Sequence, residues 1–203
     1  MRNYYTHYPR TILWLVPGGE VSIGGEEADA RPSFRVEVEP FYIGKFPITN
    51  DQYEAYDPGF ECSAVSPGDR DPAVGVSWDA AAGYCEWYAE VSRKPMRLPT
   101  EIEWEHACRG GSAGRVQPLD PEQANGFGLY GMLGGIWEWT ASPYLPYPLT
   151  ADEKKASGDP RRVLRGGSFE LDRREISCSA RRPELPEAQF DDAGFRIVKS
   201  LRG

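Results

Sequence analysis

Histidine and cysteine are scarce in this sequence of 203 residues, which has two histidines and four cysteines. None of the cysteines forms a CxxC pair, and structural zinc sites draw four ligands from closely spaced cysteines and histidines, so we expect no zinc cluster. His7 and His106 stand in unrelated contexts, with His106 predicted on the polar side of its helix. Neither has the neighbours that a catalytic base requires. Reduced thiols are the default expectation.

Long apolar runs and an excess of positive charge are also absent. No run approaches membrane-spanning length, and the first ten residues lack the apolar region of a signal peptide. These absences predict a cytoplasmic protein with no membrane partner. The sequence has 23 Lys and Arg against 31 Asp and Glu, a net charge of -8, so no general field attracts nucleic acid.

Glycine, proline and apolar residues, by contrast, are plentiful. The 18 prolines and 22 glycines indicate many turns and irregular loops. The chain is 40% hydrophobic and 12% aromatic, which is enough for one buried core. Patterns of apolar residues predict strands at 11–16, 20–23 and 36–43, the last of them half-buried.

Three helices are predicted from residues that cap helix ends. A short helix begins at residue 49 or 50. A longer helix follows Ser77 and carries apolar residues at the spacing of one buried face, which makes Cys85 a core residue. The third begins at Thr100, which forms a capping box with Glu103.

The four thiols differ in their expected exposure. Cys85 and Cys108 lie on apolar helix faces, and Cys178 is assigned to a core strand. Cys62 lies in the Pro/Gly-rich loop 57–72. Only Cys62 is therefore expected to react with a thiol reagent in the folded protein.

A stretch near the C-terminal end indicates where a functional surface lies. Residues 163–169 and 194–198 include short apolar core strands, and Gly166 and Gly167 permit the backbone to turn. The polar spans 170–175 and 182–192 are expected to face solvent. Their arginines alternate with acidic residues, which favours an internally paired surface over an anion site.

Eight motifs occur in order along the chain. They are Phe41-Tyr-Ile-Gly-Lys-Phe-Pro-Ile-Thr-Asn50, Val74-Gly-Val-Ser-Trp78, Tyr84-Cys-Glu-Trp87, Arg97-Leu-Pro-Thr-Glu-Ile-Glu-Trp104, Gly128-Leu-Tyr130, Trp137-Glu-Trp-Thr140, Leu164-Arg-Gly-Gly-Ser168 and Gly194-Phe-Arg196. With these motifs the chain resembles the sulfatase-modifying-factor family, which includes the formylglycine-generating enzyme. The resemblance implies an α+β fold, a single C-type-lectin-like domain with short mixed sheets, two main helices and much irregular loop. We assign residues 13–203 to this domain and residues 1–12 to an N-terminal segment.

The resemblance also implies a chemistry that this sequence lacks the residues to perform. The family's enzyme oxidises a substrate cysteine with dioxygen, using copper held by two cysteines just after the Gly-Gly-Ser motif. Here Leu171 occupies the first of those positions. Cys178 aligns instead with a structural cysteine of the family, so copper is not expected.

A calcium site of the family is incomplete as well. The resemblance places its ligands at Gly131, Gly134, Ile136 and Glu138, and a glycine at 131 supplies no side-chain oxygen. Calcium prefers six to eight oxygens, so the loss weakens the site without abolishing it. The resemblance therefore implies, at most, a weakened calcium site at Gly134, Ile136 and Glu138.

Structural interpretations compete with functional ones at several of these motifs. Trp137 and Trp139 are favoured as core aromatics around a hydrogen-bonded carboxylate over ligand-stacking rings. Arg165, Arg181 and Arg196 are favoured as partners of buried acids over anion ligands.

The predicted function is a non-enzymatic module that recognises a protein or peptide through the 168–192 loops. Some relatives of this fold serve as ligand-display scaffolds. The alternative is a cysteine-independent oxidoreductase. The residues predicted to contact the partner are Trp137, Glu170, Asp172, Arg173, Arg174, Glu175 and Arg182.

Overall fold

The computed structural model describes residues 4–7, 11–112, 123–148 and 158–201, the first of these ranges by its backbone alone. The strands are β1 (Tyr4–His7), β2 (Thr11–Val16), β3 (Gly19–Ile23), β4 (Phe34–Val38), β5 (Phe41–Gly44), β6 (Trp137–Pro143), β7 (Arg162–Arg165), β8 (Arg181–Glu184), β9 (Ala193–Phe195) and β10 (Val198–Ser200). The helices are α1 (Asn50–Glu54), α2 (Trp78–Ser92) and α3 (Glu101–Arg109), with a 3-10 turn at Ala28–Ala30.

The strands form short sheets of mixed direction. The first sheet has the order β1-β2-β5-β10, the second pairs β3 with β4, and the third has the order β8-β7-β6-β9. In the third sheet β6 and β9 run parallel, while its other neighbours run antiparallel. The segment 1–12 contributes β1 and the start of β2 to the first sheet. The α+β class predicted from the sequence is confirmed.

The predicted capping residues begin the two main helices. The Ser77 hydroxyl accepts a hydrogen bond from the Ala80 amide at 3.2 Å and begins α2. Thr100 and Glu103 form the reciprocal capping box of α3, which ends at Gly110 with a φ of 57°. Local sequence therefore fixes both ends of α3. The residues of α2 that are buried are Ala81, Tyr84, Cys85 and Tyr88.

The prediction of one strand at 36–43 is wrong. The stretch is divided at Glu39 and Pro40 into β4 and β5, which belong to different sheets. Proline has no amide hydrogen to donate to a neighbouring strand, and its fixed backbone angle favours such a break. The chain thus passes from the second sheet to the first within two residues.

The placement of His106 on a polar helix side is also wrong. The side chain is 6% exposed, and its Nε2 lies 2.7 Å from the carbonyl oxygen of Pro17. Its ring packs 5.3 Å from that of Phe127. A histidine buried between aromatic rings with a carbonyl partner is a structural residue.

Buried ion pairs join α3 to the third sheet. Arg165 of β7 lies with its Nη1 3.0 Å from Glu101 Oε1 and also pairs with Glu105. Arg181 of β8 places its Nε 2.6 Å from the same Glu101 oxygen. All four side chains are 0% exposed. The prediction that Arg165 and Arg181 are partners of buried acids is confirmed.

Two of the four cysteines form a disulfide, which corrects the expectation of reduced thiols. Cys108 at the end of α3 is bonded to Cys178, with Cα atoms 5.8 Å apart. Cys178 lies in a buried turn before β8, not in a strand. Of the remaining thiols Cys62 is exposed and Cys85 is buried. The cytoplasmic location therefore stays a prediction, since disulfides persist mainly in oxidising compartments.

We expect the thiol count to rise in steps when protein prepared without reductant is titrated with Ellman's reagent. The native protein should show one reactive thiol, that of Cys62. Unfolding without reductant should expose Cys85 as a second, because the Cys108–Cys178 bond survives. Unfolding with reductant should show all four. Four thiols in the unfolded, unreduced protein would contradict the disulfide.

Candidate functional site

The loops that follow β7 and β8 are joined at their bases. We call residues 168–175 and 182–192 the loop surface. The Ser168 hydroxyl donates to Asp192 Oδ2 at 2.7 Å, and Arg182 Nη1 lies 3.3 Å from Asp192 Oδ1. Ser168 and Asp192 are 0% and 7% exposed. A buried carboxylate thus holds the two loops together.

Trp137 lies beneath this base as a core residue. Its amide donates to the Asp192 carbonyl at 2.8 Å, which brings the loop surface next to β6. The ring is only 7% exposed. The Arg182 guanidinium carbon lies 6.0 Å from the Trp137 ring centre but 4.0 Å from that of Phe190. Phe190, rather than Trp137, is the ring that Arg182 covers.

Phe169 is the largest apolar group that this surface offers to solvent. Its side chain is 53% exposed, and its amide donates to the Gly135 carbonyl at 3.1 Å, which anchors the loop. Sequence reasoning did not select Phe169 or Phe190. The sequence did contain a signal for Phe169. This phenylalanine directly follows Gly-Gly-Ser and begins a polar span that is not a core strand, which indicates that its ring is exposed.

The predicted charged residues form a compact exposed turn. Arg174 pairs with Asp172 at 3.0 Å, and the Asp172 amide donates to Glu175 Oε2 at 3.2 Å. Hydrogen bonds from Arg174 lower the pKa of the Asp172 carboxyl. Glu170 and Arg173 are exposed beside this pair. The turn maintains its own shape, because its acids and arginine bond to one another.

A second connection supports the loop surface from the side. The Ser63 hydroxyl, in the loop 57–72, donates to Asp191 Oδ1 at 3.0 Å. The Gly75 amide donates to the Phe190 carbonyl at 2.9 Å. Residues outside the loop surface therefore hold the C-terminal end of the span 182–192, at Phe190 and Asp191.

The residues of this chain do not form the copper site that the resemblance to the formylglycine-generating enzyme implies. Leu171 stands where the first copper cysteine is expected, and it packs against the core. Cys178 is bonded to Cys108, and burial raises the pKa of the Cys85 thiol, so that it is not a thiolate at neutral pH. Cys62 is a single exposed thiol. No pair of thiolates can be assembled from these residues.

The calcium ligand set does not fit either. Glu138 is 0% exposed, and its two oxygens each lie 2.6 Å from a nitrogen of Arg196. Trp104 Nε1 donates to the same carboxylate at 2.7 Å. Gly134 and Ile136 could supply only backbone oxygens. The set therefore lacks the available carboxylate that a calcium ion requires. The prediction that Arg196 is the partner of a buried acid is confirmed.

Within the described ranges, no three His, Cys, Asp or Glu side chains lie together as a metal-binding group. The site therefore consists of a rigid base, an exposed phenylalanine and a rim of mixed charge. Such an arrangement can bind through contact and hydrogen bonds.

Residues 6–120 and 112–201 match the family described as the sulfatase-modifying factor enzyme 1-like domain. The chain belongs to this family. The resemblance inferred from the eight motifs is confirmed.

Two relatives illustrate the range of proteins that carry this domain. The chain is 29% identical to the serine/threonine-protein kinase pkn1 of Chlamydia pneumoniae over 94% of its own length, and it spans 38% of that relative's length. It is 28% identical to the inactive C-alpha-formylglycine-generating enzyme 2 of Mus musculus, with 91% of this chain and 84% of the mouse protein covered.

A solved structure has the same fold. The structure of PvdO from Pseudomonas aeruginosa superposes with a TM-score of 0.80 at 20% identity, and the match covers 98% of both chains. At this identity the likeness shows the fold alone. The predicted C-type-lectin-like fold of the formylglycine-generating-enzyme type is confirmed.

None of the helices in the described residues combines the length and the apolar composition that crossing a bilayer demands.

Replacing Glu138 by alanine should destabilise the protein by about 3–5 kcal/mol, because Arg196 would remain buried without its partner. Chemical unfolding measured by fluorescence gives this difference. The control is Asp172→Ala, which breaks an ion pair whose side chains are 89% and 50% exposed and should change stability by about 0.5 kcal/mol or less.

Adding calcium or a chelator should leave the wild-type unfolding curve unchanged. A small effect of Glu138→Ala, or stabilisation by calcium, would show that Glu138 is available as a ligand.

Proposed function

We propose that this chain is a non-enzymatic binding module that recognises a protein or peptide through the loop surface. The observation that carries the proposal is the arrangement of Phe169 and a mixed-charge turn above a base locked by Ser168, Asp192 and Arg182. An apolar anchor surrounded by charged groups is typical of protein recognition surfaces.

The rigidity of the base supports this role. Binding costs less conformational entropy when the contact surface is held in place beforehand. Here Asp192 joins both loops, and Ser63 and Gly75 hold the outer span. The side chains above that base remain exposed and can vary at little cost to stability.

The loss of the copper position also supports binding over chemistry. Leu171 stands where the resemblance places the first copper cysteine, and Cys178 is bonded to Cys108. The mouse relative is itself named as an inactive enzyme. A fold that has lost its reactive groups can still present the same loops to a partner.

A double substitution in the exposed turn tests the proposal. Arg173→Ala with Arg174→Ala should leave the melting temperature nearly unchanged, since both side chains are exposed and the ion pair of Arg174 with Asp172 lies in solvent. The same variant, and separately Phe169→Ala, should weaken the contact with a partner first isolated by pull-down from the source cells. Affinity is then measured with the purified partner by calorimetry.

A matched control is Arg35→Ala, because Arg35 forms an exposed ion pair with Glu20 on the second sheet, outside the loop surface. This control should bind with wild-type affinity. If the loop variants bind as tightly as the control, the partner contacts another part of the molecule and the proposal is wrong.

A further inference from the structure

A cavity of about 880 Å³ lies outside the loop surface. It opens between the start of β2, the segment 46–52, Arg70 and the glycine-rich segment 130–136. Small-molecule sites in proteins commonly have volumes of roughly 300–1,000 Å³. Its lining residues belong to neither 168–175 nor 182–192, and it meets the loop surface only through the hydrogen bond from the Phe169 amide to the Gly135 carbonyl among the contacts described above.

The walls of this cavity are largely apolar. Phe46 stacks on Tyr130 with ring centres 4.9 Å apart, and Ile136 and Pro47 add aliphatic surface. Ile12 and Phe46 are 38% and 43% exposed. Large apolar groups grouped around one concavity are typical of a site for an apolar ligand.

Glycine opens one side of the cavity. A Cβ added at Gly135 would meet only the Gly131 carbonyl oxygen, at 3.8 Å, and Gly135 does not have a positive φ. By contrast, a Cβ at Gly126 or Gly194 would lie within 2.3 Å of a backbone oxygen. The space in front of Gly135 is therefore not filled by protein atoms, and a ligand can approach the backbone there.

One positively charged side chain stands in the lining of the cavity. Arg70 lines it, is exposed, and forms no ion pair with any residue that the structure describes. Asp51 also lines the cavity, and its carboxylate accepts a hydrogen bond from the hydroxyl of Thr49. Lys45 lies outside the lining, with its Nζ 4.6 Å from the centre of the Trp14 ring and 5.2 Å from that of Tyr130. The group that can hold an anion in this cavity is therefore Arg70.

We propose that this cavity binds a small amphipathic anion. Its apolar body lies between the Phe46–Tyr130 pair and Ile136, against the open face of Gly135. Its carboxylate or sulfonate group lies at Arg70, where a guanidinium can bond both oxygens. None of the residues 168–175 or 182–192 lines this site.

The test uses 8-anilinonaphthalene-1-sulfonate, an aromatic anion that fluoresces when it leaves water. Titration should give saturable binding of one probe per wild-type chain. Gly135→Leu should weaken binding at least about tenfold, because the new side chain occupies the volume the probe needs. Arg70→Ala should weaken it about three- to fivefold, as expected for an exposed charge pair.

The matched control is Gly158→Leu. A Cβ at Gly158 meets nothing within 4 Å, and the residue does not line the cavity, so this variant should bind like the wild type. Octanoate should displace the probe at a lower concentration than octanol, which has the same chain length and no charge. Arg70 is exposed, so Arg70→Ala should unfold at the same temperature as the wild type. This measurement checks that weaker binding does not reflect loss of the fold.

Four outcomes overturn the proposal. Absence of saturable binding, or equal affinity in the wild type and Gly135→Leu, shows that the cavity is not the site. Equal affinity in Arg70→Ala, or equal displacement by octanol and octanoate, shows that the site does not select an anion.

Discussion

Buried ion pairs are the constraint on which the rest of this structure depends. Arg165 and Arg181 meet Glu101 and Glu105 of α3 with no exposure to solvent, and Arg196 meets Glu138 in the same way. Removing one member would leave a charge in a medium that cannot solvate it. Each pair therefore fixes α3 or β6 relative to a neighbouring strand, and the loops that leave those strands begin from fixed points.

This constraint also decides which groups remain for function. Glu101, Glu105 and Glu138 are carboxylates that a metal or a proton-transfer step could use, but all three are committed to arginines. Of the four cysteines, Cys85 is buried, Cys108 and Cys178 are bonded to each other, and Cys62 is the one exposed thiol. What remains available is the exposed part of the loops, which is suited to contact with a partner.

Most of the fold could be predicted from local sequence. Ser77 and Thr100 cap their helices through side-chain hydrogen bonds that span only three residues, so the sequence alone reveals them. Ordered motifs then identified the family. One error arose where distant contacts decide, because His106 is buried by Pro17 and Phe127, which lie far from it in sequence. The division of residues 36–43 between two sheets had a local signal in Pro40, which the alternation of apolar residues outweighed.

The position of the two loops could be predicted, but not all of their contacts. Both loops do lie beside β6, as the flanking motifs indicated. The interpretation of Trp137 as a core aromatic agrees with its exposure of 7%. The place of Phe190 against Arg182 was missed, because it depends on the tertiary fold. The pairing of Cys108 with Cys178, which are 70 residues apart, likewise depends on the tertiary fold.

The most direct test of this account is a search for the chemistry that the chain is proposed to have lost. The protein is incubated with copper(I), dioxygen and a Cys-x-Pro-x-Arg peptide, a formylglycine-generating enzyme serves as the positive control, and the peptide mass is followed. The account predicts no change in peptide mass beyond that seen without protein, since Leu171 replaces a copper ligand. Turnover above that background would contradict a binding module and favour a cysteine-independent oxidoreductase.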